Sequence, residues 1–159
     1  MISSCEGTGS NSGSKGPVKF YVGSSKGSLD FSIFLCSLNP ESGEFAVLDS
    51  FAGAKGPSYL ALSPGKDILY AIDDEVSNQA EGFHSVTSFR MDPENYQLRK
   101  LNSQSSEGRG PCHITCSKDG GHVFVANYGS GHSAAFPIAQ DGSIVKASSV
   151  VRGTGSGPV

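Results

Sequence analysis

Short apolar runs separated by turns that contain glycine or proline recur along the chain after residue 17. Residues 68–72 (ILYAI) and 123–126 (VFVA) are apolar at every position, and no long segment keeps the i, i+3, i+4, i+7 spacing of an amphipathic helix. Continuous apolar runs of this length indicate strands that are buried on both faces. The pattern therefore predicts an all-β fold built from short strands.

Two stretches of the sequence repeat each other without a gap. Residues 56–74 (GPSYLALSPGKDILYAIDD) align with residues 110–128 (GPCHITCSKDGGHVFVANY) at an offset of 54 residues, so that Gly-Pro falls on Gly-Pro. Residues 34–50, 88–103 and 134–149 each read as strand, polar turn and strand, with Pro, Asn, Asp or Gly in the turn. Each repeating unit therefore contains about four short strands in roughly 50 residues.

A period of this size made only of strands is typical of a β-propeller blade. The sequence predicts about three four-stranded blades in residues 17–159, the first without its leading strand, after a flexible Gly/Ser-rich leader at residues 1–16. Propellers close with roughly four to eight blades. We therefore expect an incomplete ring, the N-terminal part of a longer protein or a truncated product, whose unpaired edge favours self-association and poor solubility.

Composition and charge exclude several classes of function. The net charge is −3 and the 12 Lys and Arg residues are scattered, so no basic stripe is available to bind nucleic acid. No apolar run approaches the roughly 20 residues needed to cross a membrane, and residues 1–16 lack the apolar segment of a signal peptide. Four cysteines in a chain without a secretory signal favour a reducing, cytoplasmic location.

Cys112, His113 and Cys116 lie close together in the sequence and raise the question of a metal site. On one strand the two cysteines would be roughly 13 Å apart, too far for a direct disulfide. Strand alternation places Cys112, Ile114 and Cys116 on one face and His113 with Thr115 on the other, which disfavours a shared zinc ion. We therefore predict core-facing free thiols and no metal.

Several longer stretches resemble a known family. The resemblance covers residues 18–158 and is carried by FYVGS, NPESGEF, GPSYLALSPGKDILYAI, GRGPCHITCSKDGGHVFVANYGSG and GTGSGP. These segments are similar to the lactonase family of seven-bladed β-propellers, which contains propeller-type 6-phosphogluconolactonases and carboxy-cis,cis-muconate cyclases. The Gly-Pro-Cys-His segment followed by Val-Ala-Asn-Tyr-Gly is fairly specific to that family.

The resemblance implies a sugar-lactone hydrolase of the pentose phosphate route, acting on a small lactone or carboxylate and using no cofactor. Members of the family continue into further blades that contribute to the site, so this chain is expected to be incomplete and inactive alone. A muconate cyclase, which adds a carboxylate to a double bond within one molecule, is an alternative. A non-catalytic propeller that binds a protein or peptide is another, because fold does not decide function.

His113 is the candidate catalytic residue. It occupies the place that Tyr59 holds in the preceding unit, on the strand that would line the central channel. Lactone hydrolysis needs a base that activates water, and imidazole is suited to proton transfer near neutral pH. The alternative is a histidine that only packs or hydrogen-bonds at the channel wall.

Three further residues are candidates for substrate binding. Asn127 and Tyr128 end an apolar strand and could hydrogen-bond sugar hydroxyls, whereas in the alternative Asn127 satisfies a turn and Tyr128 packs. Arg109, and with it Arg152, precedes a Gly-rich segment and could contact an anionic group of the substrate.

Overall fold

The computed structural model of the chain describes residues 3–4, 16–24, 31–74 and 84–155, which contain strands and turns. The strands of these residues are β1 (Ser3–Ser4), β2 (Val18–Gly23), β3 (Ile33–Leu38), β4 (Phe45–Phe51), β5 (Leu60–Leu62), β6 (Ile68–Asp74), β7 (His84–Met91), β8 (Leu98–Ser105), β9 (Pro111–Cys116), β10 (His122–Asn127), β11 (His132–Pro137) and β12 (Ser149–Arg152). Within these ranges no helix is long and apolar enough to cross a membrane.

The strands form three four-stranded antiparallel sheets. Their orders are β1-β2-β3-β4, β5-β6-β7-β8 and β9-β10-β11-β12, so within each sheet the strands pair in sequence order. This is the meander of a propeller blade, and the three sheets do not close a ring. The predicted all-β architecture of three blades is confirmed, and we refer to the sheets as the first, second and third blade.

The first blade has a leading strand, contrary to the expectation from the sequence. Ser3 pairs with Tyr21 and Ser4 with Phe20 in an antiparallel register. A strand of two residues is too short to show an alternating pattern, which is why it could not be recognised in the sequence. The other residues of the proposed leader up to residue 15 lie outside the described residues.

The second blade is buried on both faces, as its continuous apolar run predicted. Leu69 and Ala71 belong to the core shared with the first blade, whereas Ile68, Tyr70 and Ile72 belong to the core shared with the third blade. The equivalent run of the third blade behaves differently. Val123 and Val125 are buried against the second blade, but Phe124 is 43% exposed because no described sheet covers its face.

The two end faces of the stack expose apolar side chains. On the first blade Phe45 is 56% and Val47 is 59% exposed, and on the third blade Val151 is 66% exposed. These positions suit contact with further sheets or with other molecules. Self-association through these faces stays a prediction.

A tyrosine hydroxyl joins each blade to the next. Tyr21 donates to the carbonyl oxygen of Tyr96 at 2.6 Å, and Tyr70 donates to that of Gly142 at 3.3 Å. Tyr96 and Gly142 both lie in the turn between the third and fourth strands of their blade, and both have positive φ. The repeat therefore extends to the contacts between blades.

Candidate functional site

One end of the third blade brings the predicted site residues together. The strands β9 and β11 begin at this end, while β10 and β12 finish there. Arg109, Tyr128 and Arg152 are all exposed at this end, which we call the rim. Tyr128 is 86% exposed, so its phenol is not packed against the protein.

His113 lies on the innermost strand of the third blade, close to the rim. It pairs with Ala126 of β10 and its side chain is exposed. Its neighbour Ile114 is 1% exposed, so the two side chains point to opposite faces, as strand alternation predicted. The imidazole contacts the ring of Tyr59, with centroids 4.5 Å apart and planes inclined by 61°.

Cys112 does not face the core, in contrast to the prediction. A register shift between Ala126 and Asn127 pairs Asn127 with Pro111, so Pro111 is buried in its place and Cys112 is exposed. The Cys112 thiol points to the carbonyl oxygen of Ala126 at 3.6 Å. Cys116 does pack against the core, and burial raises the pKa of its thiol to about 11.

Asn127 fixes the loop that leads into β9. Its amide Nδ2 donates to the carbonyl oxygen of Ser106 at 2.9 Å, and the side chain is only 2% exposed. Gly108 packs on the same amide, because a Cβ at this position would lie 2.7 Å from Asn127 Cγ. The substrate contact proposed for Asn127 therefore stays a prediction, and the observed role is to hold residues 105–110.

Two neighbours of Asn127 hold the same loop. The Ser130 hydroxyl accepts a hydrogen bond from the backbone N–H of Arg109 at 3.0 Å, and His132 Nδ1 lies 3.2 Å from the carbonyl oxygen of Glu107. The backbone N–H of Tyr128 donates to the carbonyl oxygen of Gly110 at 2.8 Å. The turn after β10 thus fixes the backbone of Arg109 just before the strand that carries His113.

In the second blade a carboxylate, in place of an amide, holds the segment before the innermost strand. Asp73, the equivalent of Asn127, is 2% exposed and accepts the backbone N–H of Lys55 at 3.0 Å. Its other oxygen accepts the hydroxyls of Ser85 and Thr87 at 2.6 and 2.7 Å. Burial raises the pKa of Asp73, although the three hydrogen bonds lower it in part.

Lys55 and Arg109 occupy equivalent positions, each directly before a Gly-Pro pair. Gly56 and Gly110 have φ of 62° and 61°, a conformation that favours glycine. Each cation therefore precedes the innermost strand of its blade through the same backbone turn. Both residues are exposed, so an exposed cation recurs at the equivalent position of the two blades.

The sequence did not identify Tyr59, Ser130 or Asp73 as parts of the site. Their roles depend on contacts between residues 12 to 54 positions apart, which alternation and turn chemistry do not encode. The repeat alignment, which sets Tyr59 beside His113 and Asp73 beside Asn127, is the signal that could have found two of them. Among the described residues, no three His, Cys, Asp or Glu side chains are grouped so that they could hold a metal ion.

Comparison with known proteins places the chain in a family. The family model described as "Lactonase, 7-bladed beta-propeller" matches residues 19–159. The chain is 32% identical over 139 residues to a 6-phosphogluconolactonase of Bacillus subtilis (strain 168), covering 87% of this chain and 38% of that protein. It thus spans less than half the length of that relative.

Two solved structures share the fold. A candidate 6-phosphogluconolactonase from Bacteroides fragilis matches with a TM-score of 0.80 and 30% identity, over 94% of this chain and 40% of that one. A periplasmic gluconolactonase from Pseudomonas aeruginosa matches with a TM-score of 0.74 and 25% identity, over 84% of this chain and 38% of that one. The chain belongs to the lactonase family of seven-bladed β-propellers.

Proposed function

We propose that the protein in its complete form hydrolyses a sugar lactone, with 6-phosphogluconolactone as its substrate. The observation that carries the proposal is the similarity over 87% of the chain to a protein named 6-phosphogluconolactonase. The geometry supports it, because an exposed histidine and an exposed arginine lie near the same end of the third blade. Among the described residues both end faces of the three blades expose apolar side chains, and further blades packed there would complete the pocket.

We assign His113 the role of general base. Hydrolysis of a lactone requires that water lose a proton as it attacks the carbonyl carbon, and a positioned imidazole can accept that proton. As the tetrahedral intermediate collapses, the bond between the carbonyl carbon and the ring oxygen breaks, and the ring oxygen takes the proton that His113 accepted and becomes a hydroxyl group. The products are a carboxylate and a proton, so the reaction consumes only water.

We assign Arg109 to the anionic group of the substrate. A guanidinium presents planar donors that match a phosphate or carboxylate, and the loop that carries Arg109 is held by Asn127 and Ser130. Tyr128 supplies an exposed hydroxyl for the sugar hydroxyls. The buried amide of Asn127 holds this loop, and its direct contact with the substrate stays a prediction.

We also propose a cytoplasmic location, because Cys36, Cys112 and Cys116 are free thiols, which a reducing compartment maintains. One solved relative is described as periplasmic, so the location needs its own test. Cell fractionation with an antibody against the protein separates the two compartments. Recovery with periplasmic markers would overturn this assignment and leave the proposed reaction untouched.

The proposed reaction is tested with the protein at its full natural length. We expect it to hydrolyse 6-phosphogluconolactone faster than the spontaneous reaction, and His113→Ala to lower kcat/KM by about 10²-fold to 10⁴-fold, the usual contribution of a general base. Thr115→Ala is the matched control, because Thr115 is exposed two positions further along the same strand. We expect it to retain the wild-type rate.

Two outcomes would contradict different parts of the proposal. If the full-length protein leaves the spontaneous rate unchanged, the lactonase function is overturned. If the protein is active and His113→Ala is as fast as Thr115→Ala, only the role of His113 fails. The isolated 159-residue chain is expected to be inactive, because it holds three blades of a seven-bladed family.

A further inference from the structure

Tyr59 and His113 form an aromatic pair across two blades. Their ring centroids are 4.5 Å apart and the planes are inclined by 61°, which is the edge-to-face arrangement that aromatic rings prefer. Tyr59 directly precedes β5 of the second blade, and His113 lies on β9 of the third. The pair therefore links the innermost strands of the two blades.

The repeat explains why these two rings meet. The residues are 54 positions apart, the offset at which residues 56–74 align with residues 110–128. Equivalent positions on the innermost strands of adjacent blades lie side by side, so a ring at both positions produces a contact. The contact follows from the architecture of the blades rather than from a flexible loop.

The two partners differ in how firmly they are held. Tyr59 is half-buried and packs against the core between the second and third blades, and its carbonyl oxygen accepts the N–H of Ile72 at 3.2 Å. His113 is exposed, and its described side-chain contact is the ring of Tyr59. The tyrosine is thus the anchored ring and the histidine the ring that needs orientation.

We propose that Tyr59 is a positioning residue that orients the imidazole of His113 for proton transfer. The inference rests on the proposed lactonase function. A general base must hold one nitrogen at a defined place relative to the attacking water, and small misplacements lower rates strongly. An edge-to-face neighbour restricts both side-chain torsions of the histidine, and the residue as a whole stays exposed.

The experiment compares Tyr59→Ala, Tyr59→Leu and Tyr59→Phe in the full-length protein. The alanine removes the ring, the leucine keeps most of the packing volume without a ring, and the phenylalanine keeps the ring without the hydroxyl. We expect kcat to fall about 10-fold or more for Ala and Leu, with KM within about 2-fold, and to stay near wild type for Phe. Thr115→Ala again serves as the unaffected control.

A second measurement follows His113 independently of activity. Its imidazole proton resonances are assigned by their absence in His113→Ala, and the ring of Tyr59 is expected to shift them. We expect this shift to disappear in Tyr59→Ala and Tyr59→Leu and to persist in Tyr59→Phe. If Tyr59 only packs against the core, its replacement would lower the free energy of unfolding measured in urea, but it would not change both kcat and the His113 resonances.

The outcomes separate the inference from the function on which it rests. If the wild type is no faster than the spontaneous reaction, the proposed function is overturned and the catalytic role of Tyr59 with it. If the wild type is active but Tyr59→Leu keeps its kcat, the inference alone is overturned. The same holds if kcat falls while the His113 resonances stay in place, or if Tyr59→Phe is as slow as Tyr59→Ala.

Discussion

Residues 56–74 of the second blade and residues 110–128 of the third share one backbone and differ in side-chain chemistry. The two glycines before proline have nearly equal φ, and the turns that follow are closed by equivalent serines, Ser63 and Ser117. What changes is a tyrosine for a histidine at the innermost strand and a carboxylate for an amide at the end of the second strand of the blade. The repeat determines where side chains lie, and the substitutions determine what those places can do.

Neighbouring blades decide whether equivalent residues are buried. Tyr70 and Phe124 are equivalent, yet Tyr70 is 1% exposed between two blades and Phe124 is 43% exposed on an end face. The Tyr70 hydroxyl donates a hydrogen bond to the carbonyl oxygen of Gly142, in a turn of the third blade, whereas Phe124 has no hydroxyl to donate. An apolar strand is therefore buried on both faces only where a blade lies on each side of it.

The largest expected effect concerns the turn that fits against the second blade. Gly142 has a φ of 81°, and a Cβ there would overlap the Cδ1 and Cγ1 atoms of Ile68. Overpacking adds to the cost of a left-handed backbone, so Gly142→Ala should lower the free energy of unfolding by about 3 kcal/mol. The measurement is urea unfolding of the full-length protein.

Gly43→Ala is the matched control for this turn. Gly43 occupies the corresponding turn of the first blade with a φ of 73°, and a Cβ added there would have no other atom within 4 Å. Only the backbone cost remains there, about 1 kcal/mol. Equal losses at the two glycines would contradict the claim that the third-blade turn is packed against Ile68.

An intermediate effect on stability is expected at the position where the second blade has a carboxylate, Asp73, and the third blade has an amide, Asn127. Asp73→Asn copies the third blade into the second but leaves the hydroxyls of Ser85 and Thr87 without a charged acceptor. We expect a loss of about 2 kcal/mol in the free energy of unfolding. The reciprocal Asn127→Asp sets a carboxylate against the carbonyl oxygen of Ser106, so it should also be destabilising; a neutral result for both would contradict the assigned contacts.

The same substitution changes the pH dependence of stability. Burial raises the pKa of Asp73 in the folded protein, so the folded state holds a proton at pH values at which the unfolded chain has released it. The free energy of unfolding contributed by Asp73 therefore falls as pH rises from its ordinary pKa to the raised one. Asp73→Asn should flatten this slope in urea unfolding series, and an unchanged slope would contradict the shift.

The smallest effect on stability is expected at the turn between the first and second strands of a blade, which is β5–β6 in the second blade and β9–β10 in the third. Lys66 has a φ of 55°, whereas Gly120 holds the equivalent position in the third blade with a φ of 74°. Lys66→Gly relieves backbone strain but adds freedom to the unfolded chain, so we expect a gain of about 0.5 kcal/mol in urea unfolding. Gly120→Lys should cost a comparable amount, and a loss of stability in both variants would show that the two turns are not equivalent.

Local patterns predicted the blades well because each blade is built from strands and turns that the sequence encodes locally. The alignment of residues 56–74 with residues 110–128 located both innermost strand pairs, and the apolar run at 68–72 predicted burial on two faces. The position of His113 on the face opposite Ile114 also followed from alternation.

The features that the sequence missed depend on departures from regularity and on contacts between blades. The register shift beside Asn127 exposes Cys112, and alternation alone cannot reveal such a shift. The hydrogen bond from the Asn127 side chain to the carbonyl oxygen of Ser106 joins a strand end to a loop that lies 21 positions earlier. The pairing of Tyr59 with His113 requires that adjacent blades be in place.

Exchange of the Tyr59 and His113 rings tests the central claim, that equivalent positions in the two blades differ in function because of their side chains. The variant carries Tyr59→His with His113→Tyr in the full-length protein, and the rate of lactone hydrolysis is measured beside its urea unfolding. We predict a folded protein, with the aromatic pair retained, that is as slow as His113→Ala. Hydrolysis at the wild-type rate would contradict the claim.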